Sequence, residues 1–175
     1  MQNLQCASIV ALFNNLYFSR YNTRLLDGSK HGYDEPEYIA PRAEQCGNIV
    51  FAHGFIRSAL HEVAHWCHAG PTRRQSDDYG YWYLGDERTQ IDQERFEQVE
   101  LVPQAYELIL CQALELHFAV SLDNFNSNVV LDRARFEWRV RHTARQRQIN
   151  GLPQRLALFE QGLRDLAHNT EEVEL

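Results

Sequence analysis

The feature that most constrains this chain is an HExxH motif at positions 61–65, inside an apolar run that extends from 55 to 67. Residues four apart lie on the same helix face, about one turn from each other, so His61 and His65 can bind one metal ion from a single helix. Glu62 would project beside them, near any metal-bound water. Because motifs this short also arise by chance, two hydrogen-bonded histidines on a partly buried helix are the structural alternative.

The composition favours one soluble globular domain. A chain of 175 residues can bury one sizeable core, and we expect a single domain over residues 1–175. No apolar run approaches the roughly 18 residues of a membrane-spanning helix, so no membrane association is predicted. The N-terminus lacks the basic start and the cleavage site of a signal peptide, which favours a cytoplasmic location. A net charge of −7 argues against direct binding of nucleic acid.

The cysteines indicate neither a zinc ribbon nor a redox pair. They lie far apart and form no CxxC motif, at Cys6, Cys46, Cys67 and Cys111. Reduced thiols are therefore expected, as in other cytoplasmic proteins.

Hydrophobic periodicity predicts an α/β (α+β) fold, in which a short mixed sheet packs against helices and the HExxH helix lies at the metal site. The β-branched segment 48–52 is predicted as a buried strand that leads into the HExxH helix, which should end at Gly70-Pro71. Other helices are predicted at residues 4–18, from 92 to about 117 with a kink or interruption at Pro103, at 130–148 and at 153–168.

Two further segments are rich in turn-forming or aromatic residues. Residues 21–43 contain two glycines and two prolines and are predicted as loop, with a short strand at 37–40. Residues 78–84 alternate tyrosines with other residues and are predicted as an aromatic strand.

A metal site needs a third protein ligand, and the segment 96–100 (Phe-Glu-Gln-Val-Glu) offers two candidates. Pro71 stands where zinc peptidases of the HExxHxxGxxH type have a histidine, so that version is absent. Glu97 and Glu100 lie about one helical turn apart, and either can complete a site of two histidines and one carboxylate. A solvated acidic helix face is the equally weighted alternative. Nitrogen and oxygen ligands admit Zn(II), Fe(II) or Mn(II), so spacing leaves a hydrolase and an oxygenase both open.

Several motifs, in matched order and spacing, resemble those of the bacterial elongation factor P hydroxylase family. They are the segments 22–26 (NTRLL), 49–55 (IVFAHGF), 61–67 (HEVAHWC), 69–70 (AG), 79–83 (YGYWY), 96–100 (FEQVE) and 103–105 (PQA). The similarity extends from about residue 13 to residue 163. The resemblance implies an α/β fold like that of a metal-dependent ribonuclease family, rather than the jelly roll common among iron oxygenases.

The resemblance also implies an activity. It points to a non-haem Fe(II) protein-lysine hydroxylase of the monooxygenase type, with dioxygen as co-substrate. Its protein substrate would be elongation factor P, at the lysine that has received a β-lysyl group. The metal ligands carry over to His61, His65 and Glu100, with Glu97 in reserve. As candidate catalytic residues, Glu62 would orient an imidazole or a bound water, and His53 would line the pocket edge unless it merely caps the strand-to-helix junction.

Two rival functions remain open. A zinc-dependent peptidase or ribonuclease-like hydrolase would use the same ligands with Glu62 as general base, and a binding module would need the metal for folding alone. The aromatic segment 79–83 is predicted to pack in the core rather than to line a channel for a cationic lysine. The arginine-rich stretch 133–147 is predicted as a solvated face paired with glutamates, rather than as a surface that steers acidic elongation factor P.

Overall fold

The structure, a computed structural model, describes residues 6–80, 87–122 and 124–171. The described chain forms five α-helices and a three-stranded mixed sheet, which confirms the predicted α/β class. The helices are α1 (Cys6–Tyr21), α2 (Ile56–His68), α3 (Gln90–Ala113), α4 (Arg133–Asn150) and α5 (Gln154–Glu171), and the strands are β1 (Thr23–Asp27), β2 (Glu37–Ile39) and β3 (Gly47–Phe51). None of the helices in these ranges is both long enough and apolar enough to cross a membrane.

The sheet has β3 at its centre, parallel to β1 and antiparallel to β2. Leu25 pairs with Ile49 on one side of β3, and Tyr38 pairs with Ile49 on the other. The prediction of loop across residues 21–43 is wrong at β1. This strand places an apolar pair between charged residues and shows no alternation, because Leu25 and Leu26, on opposite faces, are both buried while Arg24 is exposed. Pairing with β3 stabilises it instead.

An aromatic cluster fixes the rotation of α2 about its own axis. The ring of Trp66, which is fully buried, lies 5.1 Å from the ring of Phe13 and 5.1 Å from that of Tyr17, both on α1. Phe159 of α5 packs 5.9 Å from Phe13. Burying large aromatic rings is strongly favourable, so this contact holds one side of α2 against α1 and α5. The side that carries the HExxH histidines consequently meets α3.

Basic side chains from outside the helix cap the end of α2. The helix ends at His68, as the Gly-Pro pair predicted, and the Ala69 carbonyl accepts hydrogen bonds from Arg74 (2.6 Å) and Arg155 (2.7 Å). Cationic donors at a helix C-terminus satisfy its free carbonyls and complement the helix dipole. The bond from Arg155 ties α5 to the helix that carries the HExxH histidines.

Of the kink or interruption predicted for α3 at Pro103, the interruption is wrong. The helix runs continuously from Gln90 to Ala113 with Pro103 in its interior. A proline inside a helix removes one backbone hydrogen bond, but packing of α3 against α2, α4 and α5 offsets that cost. The unbroken helix carries Glu100 and later residues along one face toward α2.

The aromatic strand predicted at residues 78–84 is also wrong as far as the structure describes it, since residues 81–86 lie outside the described part. Asp77–Gly80 forms a short 3₁₀ turn in which Asp78 and Tyr79 adopt φ angles of 47° and 58°. The two aspartates accept hydrogen bonds from backbone amides of β2 and the residue after it, Asp78 from Tyr38 (2.9 Å) and Asp77 from Ala40 (2.8 Å). The two carboxylates thus accept hydrogen bonds from backbone amides at a sheet edge, where a further strand would otherwise pair.

Candidate metal centre

Three potential metal ligands converge between α2 and α3. The Nε2 atoms of His61 and His65 are 3.1 Å apart. Glu100 places Oε1 3.2 Å from His65 Nε2 and Oε2 3.6 Å from His61 Nε2. One donor atom from each residue lies within 4.8 Å of the others, and Glu100 and His65 are buried. This arrangement of two imidazoles and one carboxylate can hold a single ion.

The two glutamates of the segment 96–100 have different partners. Glu97 accepts a hydrogen bond from Arg139 of α4 at 3.3 Å, whereas Glu100 faces the histidines. Two residues three positions apart on a helix differ in direction by about 60° around its axis. This difference is enough for Glu97 and Glu100 to meet different helices. The structure therefore brings Glu100 to the cluster and leaves the reserve candidate, Glu97, at the interface with α4.

The ionisation of Glu100 suits a metal ligand. Burial alone would raise the pKa of its carboxyl group, but the imidazoles of His65 and His61 and a hydrogen bond from Gln104 lower this pKa to about 2. The group is thus an anion at physiological pH, as metal binding requires. Nitrogen and oxygen donors without sulfur fit Fe(II), Mn(II) or Zn(II).

Gln104, one turn after Glu100 and fully buried, supports the carboxylate. Its Nε2 donates to Glu100 Oε2 (3.3 Å) and to the Ser121 carbonyl (2.8 Å), and its Oε1 accepts from the Ser121 amide (3.0 Å). The amide group is satisfied on both sides, so it fixes Glu100 relative to the segment that follows α3.

Glu107 contacts His61 from the side opposite the cluster, and the sequence interpretation missed it. Its Oε2 lies 3.0 Å from His61 Nδ1, the ring nitrogen that faces away from the ligand cluster, and its Oε1 accepts from Arg57 at 2.7 Å. A detectable signal was present: Glu100, Gln104 and Glu107 follow the helical spacing i, i+4, i+7, and they form a polar stripe on an otherwise apolar part of α3.

The two predicted catalytic residues have different positions. Glu62 lines the cavity beside His61 and His65, and burial raises the pKa of its carboxyl group although both imidazoles oppose this. His53 occupies the turn between β3 and α2 with a φ of 57°, and its exposed ring packs near Phe55. The structure therefore brings Glu62 to the cluster and does not bring His53 there.

The cluster opens into a cavity of about 500 Å³ with an acidic and aromatic wall. Its lining includes the carboxylates of Glu35, Glu37, Glu62, Asp78 and Glu100 and the rings of Tyr38, Tyr79 and Phe96. Tyr79 stacks on Tyr38 at 4.3 Å and lies nearly parallel to His65 at 6.3 Å. The left-handed backbone at Tyr79 thus places an aromatic ring near His65, one of the candidate ligands, which the predicted core strand did not anticipate.

The arginine-rich helix α4 is partly paired, in line with its predicted solvated face. Arg139 bonds Glu97, and Arg141 bonds Glu137 at 2.7 Å. Arg135 and Arg145 are exposed on the same helix.

We expect the stability of the metal-free protein to depend on pH through His61 and Glu100. Burial lowers the pKa of His61, but the bond to Glu107 and the charges of Glu100 and Glu62 outweigh it and raise this pKa to about 10. The stabilisation from protonated His61 is therefore complete below pH 6.5 and lost as pH rises toward about 10. That from ionised Glu100 is complete above pH 4.5 and lost as pH falls toward about 2.

Urea unfolding of the metal-free protein across this range measures the effect, and His61→Gln is the matched variant. The wild-type free energy of unfolding should fall on the alkaline side of pH 6.5, and the variant should lose much of that slope. A wild-type slope equal to that of the variant would contradict the assigned His61–Glu107 pair.

Comparison with known proteins agrees with the motifs. A sequence model of the family described as elongation factor P hydroxylase matches residues 12–175. Elongation factor P lysine hydroxylase of Haemophilus influenzae (strain ATCC 51907 / DSM 11121 / KW20 / Rd) is 39% identical over 168 residues, which cover 95% of this chain and 92% of that protein. The family predicted from the motifs is thereby confirmed. With the HExxH histidines and Glu100 gathered at one cavity, this chain belongs to the elongation factor P hydroxylase family.

Proposed function

We propose that this chain is an Fe(II)-dependent hydroxylase of translation elongation factor P, acting on the lysine that carries a β-lysyl group. The observation that carries the proposal is the convergence of His61, His65 and Glu100 at one cavity in a chain of this hydroxylase family. The relative from Haemophilus influenzae is named as a lysine hydroxylase of the same factor, which supports the substrate.

The donor set suits the reaction. Three protein ligands leave further positions of an octahedral ion accessible, as in other iron oxygenases with two histidines and one carboxylate. Iron, when bound, would supply the activation of dioxygen that no side chain can provide. In the overall reaction a C–H bond of lysine becomes C–OH with one oxygen atom. The second oxygen atom is reduced to water. This reduction takes two electrons and two protons from a two-electron reductant.

Glu62 is the residue we assign to proton movement in this cavity. It lies next to both histidines without being one of the three converging donors, and burial raises its pKa. A carboxyl group whose pKa is shifted toward neutrality can deliver and recover protons at physiological pH. Formation of water from the second oxygen atom consumes protons, and Glu62 is positioned to pass them.

The cavity wall suits a long cationic side chain. Burial raises the pKa of the Glu37 carboxyl group, and the charge of nearby Asp78 raises it further. Such crowding of carboxylates is relieved by a cation, and the ammonium groups of a β-lysylated lysine supply it. The rings of Tyr38, Tyr79 and Phe96 offer apolar faces to the methylene chain and π faces to its charged end.

A zinc-dependent hydrolase remains the rival, and one observation favours it: Glu62 lies beside the two histidines, where a general base of zinc hydrolases belongs. Metal reconstitution separates the two functions. Metal-free protein would be loaded anaerobically with Fe(II) or Zn(II) and mixed with β-lysylated elongation factor P, a reductant and then air. We expect the substrate to gain one oxygen atom with Fe(II) in air, but neither with Zn(II) nor without air. Cleavage of a polypeptide or RNA by the zinc form would favour the hydrolase.

Neutralising the cavity wall should weaken substrate binding. Asp78→Asn keeps the acceptor for the Tyr38 amide and tolerates the left-handed backbone, while Glu37→Gln keeps the shape of its side chain. Each variant should raise KM for β-lysylated elongation factor P by about 2- to 5-fold with little change in kcat, since solvent-accessible ion pairs contribute about 0.5–1 kcal/mol. The exposed Glu44, which does not line the cavity, gives the control Glu44→Gln. Equal KM values for all three variants and the wild type would contradict the cationic-substrate assignment.

A further inference from the structure

We infer that Glu107 is a positioning residue of the metal centre, which holds His61 with its Nε2 atom directed at the ligand cluster, and that Arg57 holds Glu107 in this role. The inference rests on the proposed function in one respect: the cluster must bind a metal ion.

The two oxygens of Glu107 serve different partners. Oε2 meets His61 Nδ1 at 3.0 Å, while Oε1 accepts from both Nε (3.1 Å) and Nη2 (2.7 Å) of Arg57. Glu107 is 3% exposed, so its charge needs compensation close by. Arg57 lies on α2, one turn before His61, and thus binds the carboxylate from the same helix as the ligand.

This contact selects the form of the imidazole that can bind metal. An ionised carboxylate can only accept hydrogen bonds, so the proton in this contact belongs to Nδ1 of His61. The lone pair of a metal-binding imidazole then lies on Nε2, the atom 3.1 Å from His65 Nε2. With Nδ1 held by Glu107, a flipped ring would lose a charge-assisted hydrogen bond as well as the approach to Glu100.

Arg57 is itself held by the segment that follows α3. Its Nη2 donates to the Ala119 carbonyl at 2.8 Å, and its guanidinium carbon lies 5.4 Å from the centre of the Phe118 ring. Two residues further along, Ser121 binds Gln104 and thereby supports Glu100. One short segment, 118–121, therefore supports two of the three ligands through two independent connections.

Binding of Co(II) tests the inference, because this ion reports both affinity and coordination. Wild type and variants would be titrated with Co(II) against a chromophoric chelator, and the visible absorption of the bound ion recorded. Loss of such outer contacts typically weakens metal binding by about 10- to 100-fold, so we expect the Kd for Co(II) to rise by about 10-fold in Glu107→Gln and about 100-fold in Glu107→Ala, with an altered spectrum.

Glu97→Gln is the matched control, since Glu97 is also an α3 glutamate bonded to an arginine but lies outside the cluster. Its Kd and spectrum should equal those of the wild type. Arg57→Lys retains a charge at a partly exposed position and should raise the Kd by about 3- to 10-fold, at or below the lower limit of that range. It tests the inference even if the Glu107 variants do not fold.

The outcomes separate the two claims. Absence of Co(II) binding by the wild type would refute the metal centre, and with it the proposed function. Wild-type binding together with unchanged Kd and spectrum in Glu107→Gln and Arg57→Lys would overturn the positioning role and leave the metal centre intact.

Discussion

Elongation factor P from cells that lack this protein is expected to be lighter by one oxygen atom than the factor from parental cells. The difference should be confined to the peptide that contains the β-lysylated lysine, because the proposed reaction inserts one oxygen atom into that side chain and leaves the rest of the substrate unchanged. Mass spectrometry of the intact factor and of its peptides measures both the size and the location of the change.

The site residues make this expectation specific. Expression of the wild-type chain should restore the mass completely, whereas His61→Ala and His65→Ala should restore none, since each removes one of the three converging donors. His53→Ala is the informative comparison: its exposed ring lies outside the cavity lining, so we expect it to restore the mass like the wild type. An unchanged mass in cells lacking the chain would contradict the hydroxylase function.

The sequence predicted those parts of the centre that depend on local geometry. The i, i+4 spacing of His61 and His65 requires a helix alone, and Gly70-Pro71 marks the end of that helix from chemistry within a few residues. The motifs identified the family because they extend over nearly the whole chain. Each of these features is encoded in consecutive residues, and the structure retains them.

Long-range contacts decided the features that local patterns left open or missed. Glu97 and Glu100 have equivalent local sequence surroundings, and the distinction comes from Arg139, which lies 42 residues after Glu97. The role of Glu107 depends on His61, 46 residues earlier. The residues of strand β1 carry little strand signal of their own, and pairing with β3 stabilises the strand. Such pairings are tertiary and cannot be derived from periodicity.

The turn at Asp77–Gly80 illustrates the same limit for the cavity wall. Alternating tyrosines predicted a strand there, but Asp78 and Tyr79 adopt left-handed backbone conformations that periodicity does not encode. The conformation lets Asp78 bond the Tyr38 amide while Tyr79 stacks between Tyr38 and His65. A local departure from the regular pattern therefore occurs at the candidate site, where strain is commonly retained for function.

Removal of the Glu100 carboxylate is expected to abolish stoichiometric metal binding, whereas removal of the Glu97 carboxylate is not. Glu100→Ala leaves two imidazoles without their anionic co-ligand, and the donor set falls from three groups to two. Glu97→Ala breaks the bond to Arg139 between α3 and α4, which costs stability of about 0.5–1 kcal/mol but leaves the cluster complete. The two variants remove the same group from the same helix one turn apart, so each controls for the other.

Metal content per chain, measured on both variants after anaerobic loading with Fe(II) and removal of free ion, decides between the glutamates. We expect about one ion per chain in the wild type and in Glu97→Ala, and a loss of at least 10-fold in Glu100→Ala, in line with removal of a directly bound ligand rather than of an outer contact. Circular dichroism of each metal-free variant verifies that the helices persist. Loss of the ion from Glu97→Ala, with retention by Glu100→Ala, would place the third ligand one turn earlier on α3 and require that helix to rotate by about 60° from the orientation in which Glu100 and Glu107 both meet α2.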